Sequence, residues 1–397
     1  MVMTKSARTV IVVAAALAAW LLLSIRSVSA YDPISAHQYF LEMNRYAVPS
    51  FKTVSPTIPL NEKAKASVYE KFGFYPYWCS TPVSGLPYSA LTTIAFFSIE
   101  INQYGNITNL HGWPNGSLVD TAHSHGVRVV ITITNFNSSQ LQTLLGSASN
   151  RANAIDNIVD QVTNGGADGV SIDFEGVPNS AKANLVAFMA ELKTALESVL
   201  DDPHITICTP AIDWQGSYDY DQLAANSDYL FIMAYDYHYS GGDPGPNAPL
   251  YAGGIWPAWC GIDYTLNDYQ TYIAPYTLKK VILGLPLYGF DWPTTSSAIP
   301  GTATGAGSTV TTAEALDMLH SGSYGARHWD TYSKTPYLEY YSSEWHQAWY
   351  PDLISSLMAI LYGQSRGVGG WGWWALGYLG DDKNILNELN RRADFNE

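Results

Sequence analysis

The sequence predicts a closed α/β barrel of eight parallel strands, a (β/α)8 TIM barrel, with an insertion between strands seven and eight. Three observations predict it: short runs rich in Val, Ile, Phe and Tyr recur along the 397 residues, amphipathic stretches separate several of them, and glycine-rich punctuation precedes a strand. Strand followed by helix, repeated, requires a parallel sheet, and eight such units close naturally into a barrel. The rival is an open doubly wound sheet, but no G-x-G-x-x-G or P-loop sequence follows the first strand.

The strand candidates are Tyr69 to Trp78, Leu91 to Ile99, Arg128 to Asn135, Asp168 to Glu175, His204 to Asp213, Asp228 to Tyr235, Lys279 to Phe290 and Val368 to Leu376. Ile155, Ile158, Val159 and Val162 recur at helical spacing, as do Leu185, Phe188, Met189, Leu192, Leu196 and Val199. Asn164-Gly165-Gly166 ends the first of these helices where a C-terminal cap is expected. Residues 31 to 66 carry scattered Pro and little periodicity and read as an N-terminal arm or linker, with the barrel over 67 to 390. Residues 291 to about 345 begin rich in Pro, Thr, Ser, Gly and Ala and then carry Tyr and Trp. They read as a loop-borne insertion on the side of the barrel where strands end, the side on which barrel active sites lie.

With 47% hydrophobic and 14% charged residues the chain is globular, and its net charge of −15 repels phosphate backbones and anionic lipid, which argues against a nucleic-acid partner. Lys5 and Arg8 precede an apolar run from Val10 to Leu23, and Val28-Ser29-Ala30 offers a cleavage point before Tyr31, so residues 1 to 30 read as a secretory signal peptide. Their removal takes away Lys5, Arg8 and Arg26 and no acid, leaving −18. The expected destination is extracellular, or the cell surface if the segment stays uncleaved as a membrane anchor. Thirteen Trp and 28 Tyr exceed the needs of a core, and flat faces of that kind suit stacking on sugar rings.

Of the three cysteines, Cys208 lies in an apolar run and reads as a small buried hydrophobe. Cys79 and Cys260, each beside a loop, are the one pair an oxidising compartment could join, although spacing alone does not establish the geometry. No C-x-x-C or clustered Cys/His spacing marks a metal site, and nothing in the sequence calls for a cofactor. Asn106, Asn115 and Asn137 each begin an N-glycosylation pattern.

The chemistry concentrates in Asp168-Gly169-Val170-Ser171-Ile172-Asp173-Phe174-Glu175. Side chains alternate along a strand, so Ser171, Asp173 and Glu175 share one face. In a barrel that face points inward and places Glu175 at the C-terminal end, within reach of a substrate. A carboxyl group beside another in a partly apolar site resists ionisation, so Glu175 can stay protonated near neutral pH and serve as a general acid. Alternation alone favours a half-exposed strand with ordinary solvated acids, the commonest strand pattern, and a calcium site would need more oxygen ligands than the sequence displays nearby.

This segment resembles the D-G-x-D-x-D-x-E signature of glycoside hydrolase family 18. Met233-Ala234-Tyr235-Asp236 resembles the family's M-x-Y-D at the end of strand six, and Gly369-Gly370-Trp371-Gly372-Trp373-Trp374 its strand-eight motif. KKVILGLPLYGFDW from Lys279 to Trp292, and Trp349-Tyr350-Pro351-Asp352 with Ser355 beyond, are also similar to family segments and occur in the right order. Two departures stand out. Ser171 occupies the usual place of the middle Asp, and Ile131 to Phe136 differs from the usual S-x-G-G. Both, with Glu175-Gly176-Val177-Pro178, are more similar to the branch of bacterial spore-cortex and other cell-wall N-acetylglucosaminidases.

The resemblance implies substrate-assisted, retaining hydrolysis of a polysaccharide containing β-linked N-acetylglucosamine, chitin or peptidoglycan. It implies that Glu175 protonates the glycosidic oxygen, Asp173 accepts from the 2-acetamido N–H, Tyr235 donates to the acetamido oxygen, Asp236 binds sugar or stabilises its neighbours, and Trp374 stacks beneath the ring. Tyr75, Trp214 and Tyr288 are further substrate-binding candidates, with Tyr237, Trp292 and Trp349 behind them. Asp168 is expected to fix the strand's start through local hydrogen bonds. The alternative function is a non-catalytic glycan-binding protein on the same barrel.

Overall fold

A computed structural model describes residues 34–49, 51, 53–60, 67–380 and 384–394; the signal-peptide assignment, residues 1 to 30, lies outside the described residues. In chain order the elements are α1 (Ala36–Met43), β1 (Glu70–Pro76), β2 (Thr93–Ile101), β3 (Ile107–Asn109), α2 (Gly116–Ser124), β4 (Arg128–Asn135), α3 (Ser138–Gly146), α4 (Ala148–Gly165) and β5 (Gly169–Phe174). They continue with α5 (Lys182–Glu197), β6 (His204–Pro210), α6 (Tyr220–Ala225), β7 (Tyr229–Met233), α7 (Ile262–Tyr272), β8 (Val281–Pro286), β9 (Tyr288–Thr294) and β10 (Ser308–Thr311). The last are α8 (Thr312–Ser321), β11 (Arg327–Asp330), β12 (Thr335–Ser342), β13 (Glu344–Trp349), α9 (Leu353–Arg366), β14 (Gly370–Trp374) and α10 (Asn384–Asp394).

Eight of the strands pair in parallel in the order β1-β14-β8-β7-β6-β5-β4-β2, and β1 pairs with β2 to close the ring. The strands are buried on both faces, as β5 and β8 show along their whole length, because side chains fill the barrel on one side and helices cover the other. Phe72, Phe74, Phe97 and Phe231 meet inside at ring separations of 5.0–6.1 Å. Helix starts are fixed by side chains: Asn115, Asn137 and Ser147 accept from the backbones of Leu118, Gln140 and Asn150. α4 stops at Gly166, whose φ of 63° is the left-handed cap expected of Asn164-Gly165-Gly166. Asn115 is fully buried as an N-cap, so of the three glycosylation patterns Asn106 and Asn137 are the exposed ones.

The structure changes three readings. Lys279 to Phe290 is not one strand: Pro286 has no N–H to continue the ladder, and after Leu287 the chain leaves the barrel as β9. The insertion is therefore more than a loop. It is a five-stranded antiparallel sheet in the order β10-β9-β13-β12-β11, carrying α8 over a small core of Val310, Ala315, Leu338, Ala348 and Tyr350. Part of the stretch read as an arm or linker is helix α1, started by Ser35, whose side chain accepts from Gln38 N. Among the described residues no helix is long and apolar enough to cross a membrane.

All three cysteines are free and buried. Cys79 donates to the Leu376 carbonyl and Cys260 points at the Tyr237 carbonyl, so the two are not joined. At the opposite barrel end from Glu175, Asp168 accepts from Val129 N at 2.7 Å and from His123 Nε2 at 2.9 Å, tying β5 to β4 and α2. Asp168→Ala is expected to lower stability by about 2–4 kcal/mol, the scale of two hydrogen bonds to a charged group. A fall in urea midpoint at unchanged slope is the check, with activity per folded molecule preserved.

Candidate active site

Strand β5 aims Ser171, Asp173 and Glu175 into the barrel, as its alternation requires. Ser171 Oγ lies 3.9 Å from Cys208 Sγ, so the residue in place of the middle acid faces a thiol across β5 and β6. Asp173 is fully buried and Glu175 nearly so. Burial pushes the Asp173 carboxyl up to about 7. Burial first, then the charge of Asp173, holds the Glu175 carboxyl well above the usual range. The site thus favours the protonated form of Glu175 beside Asp173.

Tyr235 and Asp236 follow the end of β7, and Trp374 ends β14, so three strand ends converge on one spot. Asp236 has a φ of 58° and is held by Asn247, whose Oδ1 accepts from Asp236 N at 2.6 Å. Tyr288 donates to Asp236 Oδ1. Burial raises the Asp236 carboxyl to about 7. Trp374 is fully buried and forms a floor bounded by Phe97 at 4.8 Å and Phe74 at 5.5 Å between ring centres.

The structure thus brings together Glu175, Asp173, Tyr235, Asp236, Trp374 and Tyr288. It does not bring Tyr75 to them. Phe72 and Phe74 fill the barrel interior, so Tyr75 lies on the other face of β1 and donates to the Thr81 carbonyl at 2.9 Å. Trp214, 66% exposed, stands apart in the loop after β6, edge-on to Trp259 at 5.4 Å. Trp292 and Trp349 are buried in the insertion, Trp349 stacked on Tyr337 at 4.4 Å, and Tyr237 is bound to Thr265.

The residue that sequence reasoning missed is His37 of α1. Its ring is fully buried, with Nδ1 2.7 Å from Asp173 Oδ2 and Nε2 2.7 Å from Tyr235 OH, and its centre lies 3.9 Å from that of Trp374. Burial pushes the imidazole down to about 4, against the pull of Glu175, so it is neutral with one N–H. The assignment that satisfies both partners has Nδ1–H donating to Asp173 and Tyr235 OH donating to Nε2. His37, Asp173 and Cys208 also offer metal-ligand atoms within 4.8 Å of one another, but both His37 nitrogens are already engaged in these hydrogen bonds.

Residues 70–378 match the family model of the glycosyl hydrolases family 18. The chain is 30% identical over 72% of its length to the Bacillus subtilis protein named "Putative sporulation-specific glycosylase YdhD", of which it spans 66%. It is 32% identical over 63% of its length to "Probable endochitinase" of Caenorhabditis elegans, of which it spans 43%. The chain thus spans less than two thirds of the length of these relatives. Its fold matches the crystal structure of a Cycas revoluta family 18 chitinase in complex with (GlcNAc)3, with a TM-score of 0.72 at 20% identity, covering 82% of this chain and 99% of that one.

Proposed function

Because the chain belongs to family 18 of the glycosyl hydrolases, we propose that it is a secreted glycosidase that cleaves β-linked N-acetylglucosamine polymers, chitin or peptidoglycan, by substrate-assisted retaining hydrolysis. One observation carries the reading: the buried carboxyls of Asp173 and Glu175 lie 2.7 and 3.8 Å from one nitrogen of His37, whose ring also meets the Tyr235 hydroxyl and covers Trp374, so all four groups line one spot at the strand ends.

In this reading Glu175 gives its proton to the glycosidic oxygen as the bond to the anomeric carbon breaks. The 2-acetamido oxygen of the same sugar attacks that carbon, so no enzyme nucleophile is needed. Asp173 accepts from the acetamido N–H and offsets the positive charge that develops, while Tyr235 orients the acetamido oxygen. Water then opens the cyclic intermediate, returning its proton to Glu175. Relatives named for sporulation and for chitin leave both polymers as substrates to be compared.

The test is incubation of the protein with chito-oligosaccharides and with purified peptidoglycan, with products identified by mass spectrometry. Fragments with a new reducing-end N-acetylglucosamine from at least one polymer are expected. Glycan binding without any cleavage would favour a non-catalytic glycan-binding barrel instead. For secretion, the exported chain is expected to begin at Tyr31, and an intact N-terminus on a membrane-bound chain would mark an anchor.

A further inference from the structure

We propose that residues 35 to 41 are a built-in substrate mimic that occupies the sugar site and holds the protein inactive until they are displaced. The inference rests on the glycan-site reading above. Within seven residues the chain reaches six side chains of the site. Ser35 lies against the Glu175 carboxyl, the Ala36 backbone lies against Asp236, and His37 bonds Asp173 and Tyr235. The His37 ring covers Trp374, and Phe40 packs edge-on against Tyr288 at 5.1 Å.

The pattern on His37 is that expected of the acetamido group. An acetamide presents one N–H donor and one oxygen acceptor on a flat, compact frame. The neutral imidazole presents an N–H to Asp173 and a bare nitrogen to Tyr235, in the same order, with its face toward Trp374. A sugar cannot share this space, because a ring centred 3.9 Å from Trp374 leaves no room for a second ring between them. Burial of Ala36, His37, Phe40 and Leu41 drives the docking, while Glu42 and Met43 on the other face are exposed.

The attachments beyond the helix let it leave without unravelling the barrel. After the exposed turn at Arg45 and Tyr46, the chain is fastened along α2, where Val54 bridges to Asn115 and Thr57 and Ile58 N–H groups bond Asp120. Cleavage before Tyr31 would leave the plug in place, so opening requires a second event: a cut between the plug and this fastening, or competition by a long glycan chain.

The experiment compares the full chain with its His37→Ala/Phe40→Ala variant, measuring chitotriose binding by calorimetry and cleavage of chito-oligosaccharide. The double variant is expected to bind chitotriose at least tenfold more tightly and to turn over at least tenfold faster at subsaturating substrate. A second form carries a specific protease site in place of residues 44 to 49 and is cut after folding, then diluted, which converts an intramolecular plug into a bimolecular inhibitor. Its activity is expected to rise on cutting, and a synthetic peptide of residues 34 to 48 to restore inhibition by raising KM at unchanged kcat.

Equal or weaker binding and turnover in both opened forms would overturn the plug, and a loss of kcat in His37→Ala/Phe40→Ala with no gain on cutting would make His37 a working part of the site instead. Tighter binding in the opened forms with no cleavage by any form would uphold the plug and sink the glycosidase reading. No binding by any form would overturn both.

Discussion

Glu175→Gln is expected to bind chito-oligosaccharide as tightly as its parent and to turn it over about 10²-fold or more slowly, the scale of a lost general acid. The comparison is made in the His37→Ala/Phe40→Ala chain, where the site is open. Gln keeps the shape and polarity of the side chain, so the loss reports the missing acidic proton rather than a disturbed pocket. The pH profile adds a sign. A general acid works while protonated, so parent activity falls as pH rises through the raised Glu175 pKa, and the residual activity of the variant lacks that limb. Stability follows a related rule. A carboxyl whose folded pKa lies above its unfolded value contributes its full stability below the unfolded value, and that stability is lost as pH rises toward the folded value. Glu175→Gln removes this dependence, so the variant is expected to gain thermal midpoint over the parent at pH 8 more than at pH 4.

Asp173→Asn is expected to lower turnover by about 10²-fold while leaving the fold intact, because an amide cannot offset the positive charge that grows on the acetamido group. It separates from Glu175→Gln by its pH profile. The Asp173 charge is one of the forces holding the Glu175 proton on, so its removal moves the alkaline limb to lower pH. Steady-state kcat across pH 4 to 9 reads this directly. An unchanged limb would mean that the charge of Asp173 does not act on Glu175, contrary to their shared burial.

Much of the site was legible because its signals are local. Ser171, Asp173 and Glu175 share a face by the geometry of a strand, and a strand flanked by capped helices locates that face inside a barrel. Glycine at the end of α4 and Asp168 at the start of β5 were readable for the same reason: each is a short-range hydrogen-bonding device.

What failed was phase and distance. β1 reads Glu-Lys-Phe-Gly-Phe-Tyr-Pro, with large aromatics at both parities, so the sequence does not say whether Phe74 or Tyr75 points inward; packing against Phe97 and Phe231 decides for Phe74. Trp292 and Trp349 carry the same ambiguity, and the antiparallel sheet of the insertion claims them as core. α1 has only 8 residues, too few for a periodic signal to stand out, and the His37 contact with Asp173 spans 136 residues. Nothing in the chemistry of a lone histidine beside Ser35 and Phe40 announces such a partner, although Ser35 three places before Gln38 is a readable helix start.

The most direct measurement is proton NMR of chitotetraose during its first minutes with the opened protein, read at the anomeric positions. The expected result is new reducing ends that begin as the β-anomer, with no signal from Glu175→Gln and no cleavage of the de-acetylated tetramer, since the attacking oxygen belongs to the acetamido group. An α-anomer appearing first, or cleavage of the de-acetylated sugar at a comparable rate, would contradict it.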